Sequence, residues 1–496
     1  MIWCIVTKMF TNSHGSFVIT LRLTALILIH ILRIPLLAEA PPNIILFYVD
    51  DLGWSDVGYQ GSTFYETPHI DQLASEGIRF TSAYSPCPVC SPSRASLMTG
   101  KSTARVGFTG HITAIGRHRY PTHGRIIPPE DHMQLPLEEI SLARALKSAG
   151  YVSASIGKWH LGAEGYWPLD HGFDVNVAGY TQGMPASYFF PYRTTRYPWN
   201  PVVKNLVGGK EGEYLTDRLT DEAIRFMDAH HNRQFFLYLT HYAVHTPIEA
   251  PKTLIDKYKE KLKIDDSQFN AGYAAMIETV DNSVGRIMEA LERLKIDKKT
   301  IVIFSSDNGG ESQVTNNRPL RAGKGYLYEG GIRVPLVLWY PGVINKGSVT
   351  DIPVIGTDLY PTITELAGEK SQPGKQLDGH SLVSLFTDPS AWSPRDLFWY
   401  YPHYSPQAKR PGSAIRSGKY KLIENYDPPS VELYDLAIDQ GETINLAEKM
   451  PDRTIKMGRK IHTWLQESGA KLHRKNPSYQ PESAFSKPPS AELRPD

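Results

Sequence analysis

Four short apolar runs, at residues 43–49, 151–156, 235–239 and 300–304, each stop abruptly in polar residues. They are too short for helices and continuous rather than alternating, the pattern of strands buried on both faces of a parallel sheet. Helical periodicity fills the gaps, over 135–149 closed by Gly150, over 216–230, and over 269–294. In the last of these, Met276, Val280, Val284, Ile287 and Leu291 mark one apolar stripe. Strands alternating with helices predict an α/β fold, a large mixed, mostly parallel sheet flanked by helices.

The texture changes after Gly368. Apolar runs at 414–426 and 431–436 are expected to pair antiparallel ahead of a helix over 451–468, giving a smaller C-terminal α+β domain. The expected division is an export signal over 1–40, a catalytic domain over 41–380, the smaller domain over 381–470 and a poorly ordered tail over 471–496. Five prolines from Pro477 onward argue for little order at that end.

At the other end, Lys8 and Arg22 precede an apolar run at 23–32, and Ala38-Glu39-Ala40 offers small residues around a cleavage point. That run is closed by Arg33 and Pro35 and is too short to cross a bilayer. The expectation is therefore export, to the periplasm or exterior (the lysosome in a eukaryotic cell), without stable membrane insertion.

Charge narrows the possible partners. The 53 Lys and Arg nearly balance the 52 Asp and Glu, which argues against a polybasic nucleic-acid binder. With 41% hydrophobic and 21% charged residues the chain is globular in composition. Its three cysteines form no disulfide framework; Cys87 and Cys90 resemble half of a zinc or redox motif, but no second pair completes a zinc site.

In open parallel sheets ligands gather beyond the carboxyl ends of the strands. The four runs are followed there by Asp50-Asp51, by Lys158 and His160, by His241 and His245, and by Asp307-Asn308. Three carboxylates and an amide make an oxygen-rich site suited to calcium or magnesium rather than to zinc. The segment 90–101, Cys-Ser-Pro-Ser-Arg-Ala-Ser-Leu-Met-Thr-Gly-Lys, predicts a short helix with Ser91 as N-cap, Pro92 at its first position and Gly100 just past its end. Position 90 then lies at a helix mouth that attracts anions.

Cys-x-Pro-Ser-Arg followed by Leu-Met-Thr-Gly-Lys resembles the signature of the type I sulfatases of the alkaline phosphatase superfamily. The resemblance continues through Gly157-Lys158-Trp159-His160-Leu161-Gly162, through Ser306-Asp307-Asn308-Gly309-Gly310, and to Glu432-Leu433-Tyr434-Asp435-Leu436. It implies an alkaline phosphatase-like fold and hydrolysis of sulfate monoesters on carbohydrate or aryl alcohols. It also implies that a formylglycine-generating maturation enzyme converts Cys90 to formylglycine, whose hydrated aldehyde is the nucleophile. Asp50, Asp51, Asp307, Asn308 and residue 90 would hold one divalent cation, calcium before magnesium. By the same resemblance Lys158, His245 and Lys324 bind the sulfate, Arg94 braces residue 90, and His160 takes a proton as sulfate leaves. His245 is the expected acid for the leaving oxygen. Two alternatives remain open at this point: a phosphate or phosphonate ester hydrolase on the same scaffold, and a catalytically silent binder of sulfated glycans.

Overall fold

The computed structural model describes residues 40–112, 124–369 and 376–480. The expected signal segment lies outside the described residues apart from its last position, as does the chain beyond Gln480. Among the described residues no helix is long and apolar enough to cross a membrane.

Eight strands form the main sheet: β1 (Asn43–Val49), β2 (Ile78–Phe80), β3 (Val152–Gly157), β4 (Val175–Val177), β5 (Phe235–Thr240), β6 (Thr300–Ser306), β7 (Leu336–Trp339) and β8 (Ser348–Thr350). Their order is β8-β2-β7-β6-β1-β5-β3-β4. The central pairs β6-β1, β1-β5 and β5-β3 are parallel, and β7 runs antiparallel to both of its neighbours. The four expected runs are thus the four adjacent central strands, all pointing the same way, so their carboxyl ends open onto one edge.

Alternation along β1 explains why these runs are continuously apolar. Ile45, Phe47 and Val49 enter one core layer, together with the stripe Met276, Val280, Val284, Ile287 and Leu291. Ile44, Leu46 and Tyr48 face the opposite layer, with Leu97, Leu142, Leu146 and Ile363. Each fully buried side chain of this size contributes roughly 1.5–3 kcal/mol, so polar substitution on either face would be destabilising.

Flanking helices include α1 (Pro68–Glu76), α2 (Cys90–Thr99), α3 (Leu142–Ser148), α4 (Leu215–His230), α5 (Ala271–Leu294) and α6 (Leu359–Leu366). One expectation is corrected here: the helix expected over 135–149 starts only at Leu142. Pro136 interrupts the earlier stretch, Leu135 N–H instead donates to Leu161 O at 2.8 Å, and the Ser141 hydroxyl caps the helix by accepting from Arg144 N–H.

A second sheet of four antiparallel strands follows: β9 (Leu397–Tyr401), β10 (Gly412–Ser417), β11 (Tyr420–Tyr426) and β12 (Pro429–Asp435). The run read as one segment over 414–426 is a hairpin, turned at Gly418, which adopts φ +60°. One face, including Trp399, Ala414, Ile423 and Tyr434, packs on Tyr84, Cys87, Val89 and Ile332. The other face, including Tyr400, Ile415 and Leu422, packs on Met457, Ile461 and Leu465 of α7 (Pro451–Glu467). Trp399 also donates its indole N–H to Ser85 O at 2.8 Å, tying this sheet to the loop before Cys90. The segment expected to trail from 471 differs at its start, because Arg474–Lys475 pairs antiparallel with Ile126–Ile127.

Candidate active site

Strand ends deliver the acidic groups. Asp50 and Asp51 follow β1, and Asp51 takes a left-handed backbone, φ +61°, that turns its carboxylate toward β6. Its N–H donates to Asp307 Oδ1 at 3.2 Å, and Asn308 Nδ2 donates to Asp51 Oδ1 at 2.8 Å. Beneath this turn Tyr273 OH donates to Asp56 Oδ2 at 2.7 Å and lies 3.1 Å from Asp51 O, while Thr315 donates to Asp56 Oδ1 at 2.8 Å. Burial pushes the Asp56 carboxyl up to about 6 against these hydrogen bonds.

Three cations face the three carboxylates. Lys158 Nζ lies 2.7 Å from Asp50 Oδ2, and Lys324 Nζ lies 2.7 Å from Asp51 Oδ2. Arg94 Nε donates to Asp307 Oδ2 at 2.8 Å, and Nη2 lies at ion-pair distance, 2.8 Å from that oxygen and 4.0 Å from Asp50 Oδ1. The Arg94 guanidinium is fully buried; it also donates to Lys158 O at 3.1 Å and to the Thr240 hydroxyl, and sits over the Tyr48 ring at 5.5 Å. Packing this many charges out of water is costly unless each is paired. Burial, followed by the attraction of Lys158 and the repulsion of Asp307 and Asp51, leaves the Asp50 carboxyl well above its usual range.

The oxygens left over fit a hard cation. Asp50 Oδ1 and Asn308 Oδ1 are buried and make no hydrogen bond among the described residues. Donor atoms of Asp50, Asp51 and His245 lie within 4.8 Å of one another and could hold an ion. A divalent cation there would raise the balanced set of three carboxylates and three cations to a local charge of +2.

Cys90 opens α2 and faces this cluster, with its thiol 3.4 Å from His160 Nδ1. Burial raises the thiol, while Lys158 and Lys324 pull it back. His160, itself at φ +58°, places Nε2 3.0 Å from Ile112 O. A carbonyl only accepts, so Nε2 carries the proton and Nδ1 is left to accept on the side of residue 90. Burial and then Lys158 hold this imidazole neutral, well below its ordinary pKa.

All the sequence-expected site residues therefore converge, with one local correction. Ser91 is not the N-cap: α2 begins at Cys90 behind Val89, and Ser91 Oγ instead lies 3.2 Å from His160 Nδ1 and accepts from Ile112 N–H. His245, the expected acid, lies 3.6 Å from Asp51 Oδ2. Its Nδ1 faces Thr246 O at 2.9 Å, and burial, then Lys324, pushes it down to about 3, although 16% of its side chain remains open. The imidazole is neutral as it stands. His241, at the same strand end, turns away into the core, where Nε2 meets Ser283 Oγ at 2.9 Å.

Thr240, Asp56 and Tyr273 carry no motif and escape sequence reading, although the position of Thr240 as last residue of β5 was a usable signal. Glu311 is a further unread neighbour. It receives a hydrogen bond from Gln407 at 3.0 Å and is held above its ordinary pKa by burial, against the attraction of Lys324 and with the repulsion of Asp51.

Comparison with known proteins agrees with this geometry. The family description "Sulfatase" matches residues 42–369, and "N-sulphoglucosamine sulphohydrolase, C-terminal" matches residues 322–470. A sulfatase of Formosa agariphila is 34% identical, over 90% of this chain and 94% of its own. Mouse N-acetylgalactosamine-6-sulfatase is 36% identical over 73% of this chain and 69% of its own. A solved structure of Ps i-CgsB in complex with k-i-k-neocarrahexaose superposes with a TM-score of 0.71 at 31% identity, covering 88% of this chain and 94% of the other. The extent of these matches, over the same strands and loops that assemble the acidic cluster around Cys90, makes the chain a member of the sulfatase family, an enzyme of the alkaline phosphatase-like fold.

Proposed function

We propose that this sulfatase hydrolyses sulfate monoesters of carbohydrate or aryl alcohols through a formylglycine made from Cys90, with one divalent cation, calcium before magnesium, at Asp50, Asp51, Asp307 and Asn308. The observation that carries this reading is the convergence of Cys90, His160, Lys158 and Lys324 on the three-carboxylate cluster. When bound, the cation would supply Lewis-acid polarisation of the oxygens facing it.

The remaining chemistry belongs to the chain. A sulfate monoester brings one negative charge, which Lys158, Lys324 and His245 are placed to receive. One hydroxyl of hydrated residue 90, deprotonated toward Asp307, attacks sulfur as the bond to the alcohol oxygen breaks. His245 takes up a proton from solvent as the arriving anion offsets Lys324 and Lys158, the charges that depress its pKa after burial, and passes that proton to the leaving oxygen. His160 Nδ1 then takes the proton of the second hydroxyl, the carbon–oxygen bond to sulfate breaks, and the aldehyde re-forms for rehydration. Arg94 orients Asp307 throughout.

This reading requires a formylglycine-generating enzyme as partner and export behind the 1–40 segment. A phosphate or phosphonate ester hydrolase is not favoured, since relatives matching at 34–37% identity are sulfatases, and a silent glycan binder is not favoured by a full set of reactive groups. The test pairs sulfate and phosphate esters of one alcohol with the Cys90→Ser variant. Preference for sulfate, with a single turnover and trapped sulfate in the variant, is expected; preference for phosphate, or unchanged steady-state turnover by Cys90→Ser, would refute it.

A further inference from the structure

We propose that a cleft of about 480 Å³ between the Ile126–Ile127/Arg474–Lys475 strand pair and the β11-β12 hairpin binds a second sulfated sugar unit of a polymeric substrate. The inference rests on the sulfated-carbohydrate reading above and adds to it a subsite outside the catalytic cluster.

The lining has the chemistry of such a site. The Tyr426 and His473 rings stack with centroids 4.1 Å apart, and the Arg125 guanidinium lies over the Tyr479 ring at 4.8 Å. Lys475 adds a second cation, Asn425 and Asn476 add amides, and no carboxylate lines the cleft among the described residues. Aromatic faces suit the C–H face of a pyranose, and cations with amides suit its sulfate and hydroxyl groups. Asp427 stands behind the wall rather than in it. It accepts from Arg125 N–H at 2.8 Å and from Tyr404 OH at 2.7 Å, and lies 3.4 Å from Arg125 Nε, so it orients the guanidinium from behind.

The cleft is also wired to the catalytic centre by two short stretches of chain. Tyr404 OH accepts from Ile126 N–H at 3.2 Å, and the preceding residue, His403, lies 2.7 Å from the Thr109 hydroxyl. Three residues on from Thr109, the Ile112 carbonyl holds the His160 proton. A sulfated polymer extends past its reacting unit and can occupy this flank, whereas a small aryl sulfate cannot do both at once.

The test uses Arg125→Gln and Lys475→Gln, alone and together, in the full chain. For a carrageenan or chondroitin sulfate polymer the double variant should raise KM about fivefold, with kcat and the kcat/KM for an aryl sulfate unchanged. In gels containing the same polymers, the catalytically silenced Cys90→Ala protein should be retarded, less so with added salt or with chemically desulfated polymer. Adding both Gln substitutions should abolish most of that retardation. Unchanged polymer KM and unchanged retardation, no retardation at all, or equal retardation by desulfated polymer would overturn the proposal. Should the parent protein turn over no aryl sulfate, the catalytic reading fails, and gel retardation alone then decides for or against the cleft.

Discussion

Replacing Lys158 by Met keeps most of the side-chain volume and removes one charge from a site that holds three of each sign. Lys158 is fully buried and, among the described residues, forms its ion pair with Asp50, at 2.7 Å. The variant leaves a buried carboxylate that already titrates high and that Asp307 and Asp51 repel. Breaking a buried pair by removing one partner costs about 3–5 kcal/mol, a large share of the roughly 5–15 kcal/mol that holds a protein folded. A divalent cation at Asp50 would offset part of this loss, so the penalty should be largest in chelator and shrink as calcium is added. The catalytic deficit should not shrink with it, because Lys158 is placed against the sulfate. Loss of one preorganised charge donor costs about 10²–10³ in kcat. The assay is thermal unfolding of parent and variant across a calcium titration, alongside kcat/KM for an aryl sulfate at saturating calcium. A folded variant with kcat/KM within about threefold of the parent would refute placement of Lys158 against the transferring group.

Two other outcomes are expected. Calcium should raise the unfolding midpoint of the parent protein, by the equivalent of about 2.7 kcal/mol at a hundredfold excess over Kd, and chelation should abolish turnover; Asn308→Ala should blunt both responses, and a calcium-independent midpoint with full activity in chelator would contradict the cation site. Away from the active site, Glu442 is buried against Lys421, which also pairs with Glu329, both at 2.9 Å. Burial outweighs Lys421 and raises Glu442 to about 7 from 4.5. Between those values the folded state keeps a proton that the unfolded state has lost, so this residue makes stability fall as pH rises through that window, by up to about 1.4 kcal/mol per pH unit. Unfolding midpoints at pH 5, 6 and 7 should therefore fall less steeply in Glu442→Gln, and an unchanged slope would contradict this assignment.

How much was legible in the sequence follows from where each signal originates. The four central strands are readable because a strand covered on both faces is dominated by apolar residues, with only small polar ones such as Ser153 and Ser155 between them, and β1 and β6 are buried at every position. Residues at their carboxyl ends, Asp50, Asp51, Asp307 and Asn308, inherit that clarity. The short outer strands β2, β4, β7 and β8 run for only three or four residues and carry no distinct pattern. Over 135–149 an apolar rhythm outweighed two plain stop signals, Pro136 and the capping Ser141. Ser91 misled because Ser-Pro is a good helix start, yet its hydroxyl is drawn to His160 and the helix begins one residue earlier. Lys324 sits in no strand or helix, and its pairing with Asp51 depends on contacts more than 250 residues apart in sequence, for which only the resemblance gave a hint. The same holds for the depressed pKa of His245, set by burial and by Lys324 and invisible in the run Val-His-Thr-Pro.

The nucleophile carries the account, and mass spectrometry of the peptide spanning residue 90, from protein matured and exported in a cell that makes the converting enzyme, tests it most directly. The expected spectrum is that of an aldehyde in place of the thiol, in an amount that tracks the specific activity of the preparation. Fully active protein whose residue 90 is entirely unmodified cysteine would contradict it.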